Sequence, residues 1–381
     1  MNSCAHLMWR LFRQLMLCAV VVALLACAGG PDKPKPAELG PNAALLSIRQ
    51  AWTSRIGNVD FALDVRVDGA AVTLASSDGS VLAVDANTGQ DLWRGPAGGA
   101  LDAGAGGDGR YAAVVTRESE LVVLDRGREL WRERLTAATY TAPLVAGARV
   151  FVLGADRSVI AFDGLSGRRI WTYSRPGEQL LALRQSGVLL AVGDTLVAGI
   201  SGRLVGLNPQ NGNVRWESAI ANPRGTNDVE RLVDLVGRVS RQGDNVCARA
   251  FQASVGCVNA ARGTLLWTKP AVGSTGVHGD ADALFGTEAD GKVLAWRRSD
   301  GERLWLSERL KYRQLTAPLV LGRSVAVGDG QGFVHFLAKE DGALLARVPT
   351  DGSAVIAAPV LAAGTLVVVT RNGGIFGFRP E

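Results

Sequence analysis

The chain has 381 residues, enough for two or three ordinary domains or one large all-β domain. Glycine, at 47 residues, is about 12% of the chain against a usual value of about 7%, while proline, at 14, is not raised with it. With hydrophobic residues at 47% and charged residues at 20%, collagen, Pro/Gly low complexity and a disordered chain are excluded. The formal charge of +5 becomes +3 once Arg10 and Arg13 are removed with the leader described next. No basic run carries interleaved aromatics, so nucleic acid is not an expected partner.

Arg10 and Arg13 precede an uncharged apolar stretch, residues 15–26 (LMLCAVVVALLA). Twelve residues span about 18 Å as a helix, short of a bilayer core of about 30 Å, so the stretch reads as the apolar region of a secretory signal. Its end, Leu24-Leu25-Ala26-Cys27, resembles the bacterial lipobox, in which the cysteine is lipidated and becomes the first residue. Residues 28–42 hold four prolines and no apolar run, the composition of a stiff tether. Ala28 stands where an aspartate would resemble an inner-membrane retention signal, which points to the periplasmic face of the outer membrane. The expected organisation is a signal peptide at 1–26, a lipidated Cys27 and tether at 27–48, and a folded domain at 49–381.

That domain is a repeat. Seven segments share an apolar run, a polar position and a glycine turn, and in six of them a tryptophan stands four residues after the glycine, the seventh having Ala346 there. They are VLAVDANTGQDLW (81–93), LVVLDRGRELW (121–131), VIAFDGLSGRRIW (159–171), LVGLNPQNGNVRW (204–216), VGCVNAARGTLLW (255–267), VLAWRRSDGERLW (293–305) and VHFLAKEDGALLA (334–346). From Trp93 through Trp131, Trp171, Trp216, Trp267 and Trp305 to Ala346 the spacings are 38, 40, 45, 51, 38 and 41. A period near 40 with strand-type runs and glycine turns predicts a β-propeller with one four-stranded blade per repeat. The apolar run is expected to be a half-buried strand with period two, and the tryptophan to fill the wedge between blades. The run at 365–378 ends the chain without its tryptophan strand, while Trp52, 41 residues before Trp93, sits in a lone strand near 49–56. The N-terminal strand is therefore expected to complete the last blade. The fold class is all-β, an eight-bladed propeller of about 42 residues per blade, with seven blades as the alternative count.

Residues 104–109 match G-x-G-x-x-G, but the strand-like 110–116 follows where the dinucleotide fingerprint needs a helix, so an inter-blade loop is expected. Residues 286–293 miss the P-loop at Val293, and Asp290-Gly291 reads as a hairpin turn. His278 and His335 are 57 residues apart without a carboxylate pattern, so neither a metal site nor a catalytic triad is expected, and no cofactor. Cys247 and Cys257 lie symmetrically about a turn at Gln252-Ala253; they could form a disulfide in an oxidising compartment or remain two buried thiols.

The frame Ala83-Asp85-Thr88-Gly89-Trp93 resembles the repeat shared by pyrroloquinoline-quinone dehydrogenases and the BamB family, lipoproteins of the outer-membrane β-barrel assembly machinery. The dehydrogenases are longer and carry adjacent paired cysteines and calcium-binding carboxylates, neither of which stands out here. Length, lipobox, tether and blade order are similar to BamB. Leu181-Ala182-Leu183-Arg184 resembles the L-x-L-R segment with which that family meets BamA, and residues 225–234 resemble its G-x-x-E-[IV]-[ED]-R-L-x-D string. The resemblance thus implies a partner-binding set of Leu181, Leu183, Arg184, Glu230, Arg231 and Asp234, on consecutive connections of one face. Where the family commonly has a second aspartate, this chain has Val236. The implied function is a non-enzymatic scaffold that docks on the POTRA domains of BamA within the Bam complex and has no small-molecule substrate. The alternatives are a periplasmic quinone-dependent dehydrogenase and a ligand-binding propeller that uses its central funnel. Arg184 and Asp234, on neighbouring connections of one face, could pair with each other, with BamA, or both.

Overall fold

The computed structural model describes residues 34–175, 182–224, 226–227 and 231–381, and its body is residues 37–381. Among the described residues the strands form eight four-stranded antiparallel sheets, and there is no helix. Blades one to seven span residues 66–96, 106–134, 144–173, 189–219, 235–270, 277–307 and 319–349. Blade eight takes residues 360–380 and recruits Ile48–Arg55 as its outer strand, paired from Ile48↔Pro380 to Arg55↔Gly374. The innermost strand of blade one, Arg66–Asp68, lies beside that of blade eight, Val360–Ala362, which closes the ring. Closure leaves no open sheet edge between first and last blades.

The repeat chemistry explains how blades hold each other. Trp52, Trp131, Trp171, Trp267 and Trp305 each donate the indole N–H to a carbonyl of the following blade, at 2.8–2.9 Å. The turn glycine of that following blade is where the ring sits. A Cβ on Gly212 would fall 2.6 Å from the Trp171 ring, and Gly89, Gly167, Gly263, Gly301 and Gly342 meet Trp52, Trp131, Trp216, Trp267 and Trp305 likewise. These glycines also hold φ of 68–76°, a left-handed backbone that side chains disfavour. Glycine is thus required twice at one position. Blade two has a shorter turn, in which Asp125 pairs directly with Arg128, so Trp93 has no such seat.

Burial departs from the expected half-buried pattern. In Ser80–Asp85 the successive residues Val81, Leu82, Ala83 and Val84 are all 0–1% exposed. Each blade is sandwiched between two neighbours, so both faces of its middle strands are core, as in other doubly covered sheets. Residues 104–109 also differ from the expected loop: Gly106–Gly107 is the inner strand of blade two, where a Cβ on Gly106 would strike the Pro143 carbonyl.

Residues 37–47, assigned to the tether by composition, run along the outer strand of blade seven, Leu344–Pro349, the blade with Ala346 in place of tryptophan. Leu45 N–H donates to Leu345 O at 2.8 Å, and the Asn42 side chain both donates to and accepts from the Arg347 backbone. Leu39, Leu46 and Ile48 pack on the adjoining core. An edge strand has unpaired backbone groups, and this strap partners several of them. In blade five, Cys247 and Cys257 are direct register partners on Asn245–Ala250 and Ser254–Asn259, with their sulfurs at bonding distance.

Candidate functional site

Each blade's outer strand leads to the next blade's inner strand on one face of the ring, the face that also carries the turns between the two middle strands. The two longest of these connections are residues 174–188, into blade four, and 220–234, into blade five. They carry the two strings singled out in the sequence. Leu181 and Glu230 lie outside the described residues, as does Cys27.

Asp234 ties the two connections together. Its Oδ2 accepts the backbone N–H of Leu183 at 3.2 Å, and its Oδ1 accepts from Arg157 Nη2 at 3.1 Å. The Arg157 side chain is 8% exposed and that of Asp234 20%, so this ion pair is largely buried. Arg157 stands in the turn between the middle strands of blade three, with φ 63°. The tie holds the backbone at Leu183 and leaves the next side chain outside.

That side chain is Arg184, 73% exposed. It does not pair with Asp234, one of the alternatives the sequence left open. Instead its Nη2 reaches Asp102 Oδ2 at 3.1 Å, and its guanidinium lies 5.3 Å from the centre of the Tyr140 ring. Asp102 also accepts Arg117 Nε at 2.8 Å. The choice of partner has a simple cause: Asp234 is already committed to Arg157 and Leu183 N–H, whereas Asp102 lies within reach across the connection that carries Tyr140. Exposed ion pairs contribute about 0–1 kcal/mol, so Arg184 can exchange Asp102 for another carboxylate at little cost.

Leu183 is half-buried. It lines a small cavity of about 50 Å³ with Tyr140, Leu153, Ser186, Asp234 and Val236. Arg231 is exposed, and its backbone N–H donates to Asn227 O at 3.2 Å. Val236 is 2% exposed in the inner strand of blade five; a carboxylate there would point into core, which accounts for an apolar residue at that position. Asp102, Arg117, Tyr140 and Arg157 complete the site and were missed by the sequence reading. Apart from the Asp102–Arg117 pair within one repeat, the contacts join different repeats, and nothing in the linear spacing signals them.

The remaining candidate groups are dispersed. His335 Nε2 lies 2.8 Å from Asp329 Oδ2, and Arg313 Nε donates to the same oxygen at 2.7 Å, all three buried. His278 Nδ1 accepts the Val320 N–H at 3.1 Å. Among the described residues no group of three or more His, Cys, Asp or Glu is placed to hold a metal ion.

Comparison with known proteins follows the same lines. A family model described as "Outer membrane protein assembly factor BamB" matches residues 77–307. A BamB of Burkholderia pseudomallei is 38% identical over 367 residues, 95% of this chain and 96% of that one. The BamB of Bordetella pertussis is 36% identical over 97% of both chains. The crystal structure of BamB from Moraxella catarrhalis superposes with a TM-score of 0.79 at 24% identity, covering 87% of this chain and 99% of that one. A quinohemoprotein alcohol dehydrogenase from Comamonas testosteroni shares the fold, with a TM-score of 0.68 at 14% identity over 91% of this chain and 79% of that one. The full-length identities, joined to the eight-bladed ring with its N-terminal closing strand, place the chain in the BamB family of outer membrane protein assembly factors.

Proposed function

We propose that the chain is a non-enzymatic scaffold of the outer-membrane β-barrel assembly machinery. A lipid on Cys27 holds it at the periplasmic face of the outer membrane, and the connections 174–188 and 220–234 dock on the POTRA domains of BamA. The observation that carries the docking reading is the division of labour at Asp234. A largely buried tie fixes the backbone of one string to the other, and an exposed arginine held by an ion pair to Asp102 and by the Tyr140 ring projects beside it. Pre-set backbone with a mobile charged group is what an interface hot spot requires. The mechanism is positioning: the rigid ring orients its partner rather than transforming a substrate.

The test is affinity co-purification from detergent-solubilised envelopes. Arg184→Ala with Leu181→Ala should abolish recovery of BamA, while Arg126→Ala, in the blade-two turn on the opposite face, should leave it intact. Normal recovery with the folded double variant would remove the docking assignment. For the non-enzymatic assignment, added pyrroloquinoline quinone and calcium should leave the melting temperature unchanged; a saturable rise would point to a dehydrogenase instead.

A further inference from the structure

The innermost strands surround a central channel, and one side chain divides it. Arg238, on the inner strand of blade five, reaches across to blade eight, where its Nη1 donates to the Pro359 carbonyl at 2.6 Å. Two chambers border the guanidinium: one of about 380 Å³, and one of about 100 Å³ lined in part by connection residues Gln185, Ser186, Ser274 and Thr275. Arg238 and Asp64 line both.

The guanidinium has five N–H groups, and Pro359 takes one. Asp64, from the segment leading into blade one, acts on it only through space. The Asp64 carboxyl is engaged by the Ser186 hydroxyl and the backbone at Ala142, and burial pushes its pKa up, toward the neutral form. Arg238 is thus a half-buried cation that lines the channel, with no carboxylate at contact distance among the described residues. Burial lowers its pKa to about 10, which leaves it charged at neutral pH. A partly desolvated charge without a paired carboxylate carries a cost, and an anion that docks on it relieves that cost.

The larger chamber specifies the rest of the ligand. Its wall includes Leu63, Val65, Leu144, Val188, Leu189 and Val360. One planar cation matches one planar monoanion in a bidentate pairing, while the apolar wall matches hydrocarbon. A phosphate dianion would leave one of its charges unmatched. We propose that the central channel binds an organic carboxylate carrying an apolar tail, with the carboxylate received by Arg238 and the tail lying in the larger chamber. Leu183, Arg184, Arg231 and Asp234 line neither chamber.

The test is calorimetric titration of the intact mature protein with sodium octanoate, 1-octanol and inorganic phosphate. Octanoate should bind saturably at one site, with octanol and phosphate at least tenfold weaker. Acetyl-trileucine, as free acid and as amide, tells the source of the carboxylate: a free acid tighter than octanoate indicates a chain terminus, and the reverse a fatty-acid-like ligand. Arg238→Gln, verified as folded by a cooperative urea transition, should weaken octanoate at least tenfold while leaving BamA co-purification unchanged. Leu361→Trp is a second variant, at a mouth position 48% exposed, and should weaken octanoate by narrowing the chamber without burdening the core. Failure of octanoate to saturate, equal affinity for octanol or phosphate, or binding undiminished by Leu361→Trp would overturn the proposal.

Discussion

Asp234→Ala should separate what holds the docking surface together from what the surface presents. The substitution removes the acceptor for the Leu183 N–H at 3.2 Å and one partner of Arg157, whose side chain is 8% exposed. Deleting one member of a buried ion pair costs about 3–5 kcal/mol, because the remaining charge stays desolvated. Arg157 keeps its other contacts and Asp234 is itself 20% exposed, so the lower end, about 3 kcal/mol, applies. Arg184→Ala, by contrast, deletes an exposed pair worth at most about 1 kcal/mol. Urea unfolding followed by tryptophan fluorescence, run beside BamA co-purification on the same preparations, reads both effects. Arg184→Ala should leave the midpoint in place and lose BamA. Asp234→Ala should lower the midpoint and also weaken BamA recovery, because the backbone at Leu183 is no longer held. Replacing both Arg157 and Asp234 by methionine should recover much of the stability, since apolar residues of similar size often replace a buried pair without loss. An unchanged midpoint for Asp234→Ala would refute the buried tie. A midpoint that falls as far for Arg184→Ala would refute the assignment of Arg184 to an exchangeable surface role.

Burial, with Arg238 and Arg298 nearby, lowers the His278 pKa from 6.5 to about 3, and its Nδ1 must stay unprotonated to accept the Val320 N–H. Below pH 6.5 the unfolded chain therefore binds the extra proton, so stability should be full above that pH and fall toward pH 3 by up to about 1.4 kcal/mol per unit. Urea midpoints at pH 7, 6 and 5 should show the fall, and His278→Gln should reduce its slope. Mass measurement of unreduced, alkylated protein should find Cys247 and Cys257 unmodified, with reduction lowering stability by only about 2–3 kcal/mol because the closed loop is short; two alkylated cysteines would exclude the bond. Cys27→Ala should yield a soluble periplasmic form or unprocessed precursor, and its retention in outer membranes lacking BamA would exclude lipid as the anchor.

The eight-bladed ring was legible in the sequence because every blade repeats one local solution. A run of strand formers, a glycine at positive φ and a tryptophan at fixed offset recur with a period near 40, and the orphan strand around Trp52 meets the unfinished run at 365–378. What tryptophan and glycine do for each other was not legible. Trp171 is seated on Gly212, and that contact exists only once two blades stand side by side. The same holds for burial: a period-two pattern suggests one wet face, but packing between two neighbours buries both. Residues 37–47 read as the end of a tether that follows a proline-rich stretch, yet they lie along blade seven because its edge offers backbone partners. The docking strings could be placed on one face by counting residues from each tryptophan. Their ion pairs could not, since Arg184 and Asp102 are 82 residues apart and Arg157 and Asp234 are 77 apart. Arg238 and Pro359, 121 residues apart, meet only because the closed ring makes blades five and eight line one channel. Sequence determined the blade and the number of blades. Ring closure decided which charges meet, because that is what brings distant repeats within the few ångströms over which an ion pair or hydrogen bond forms.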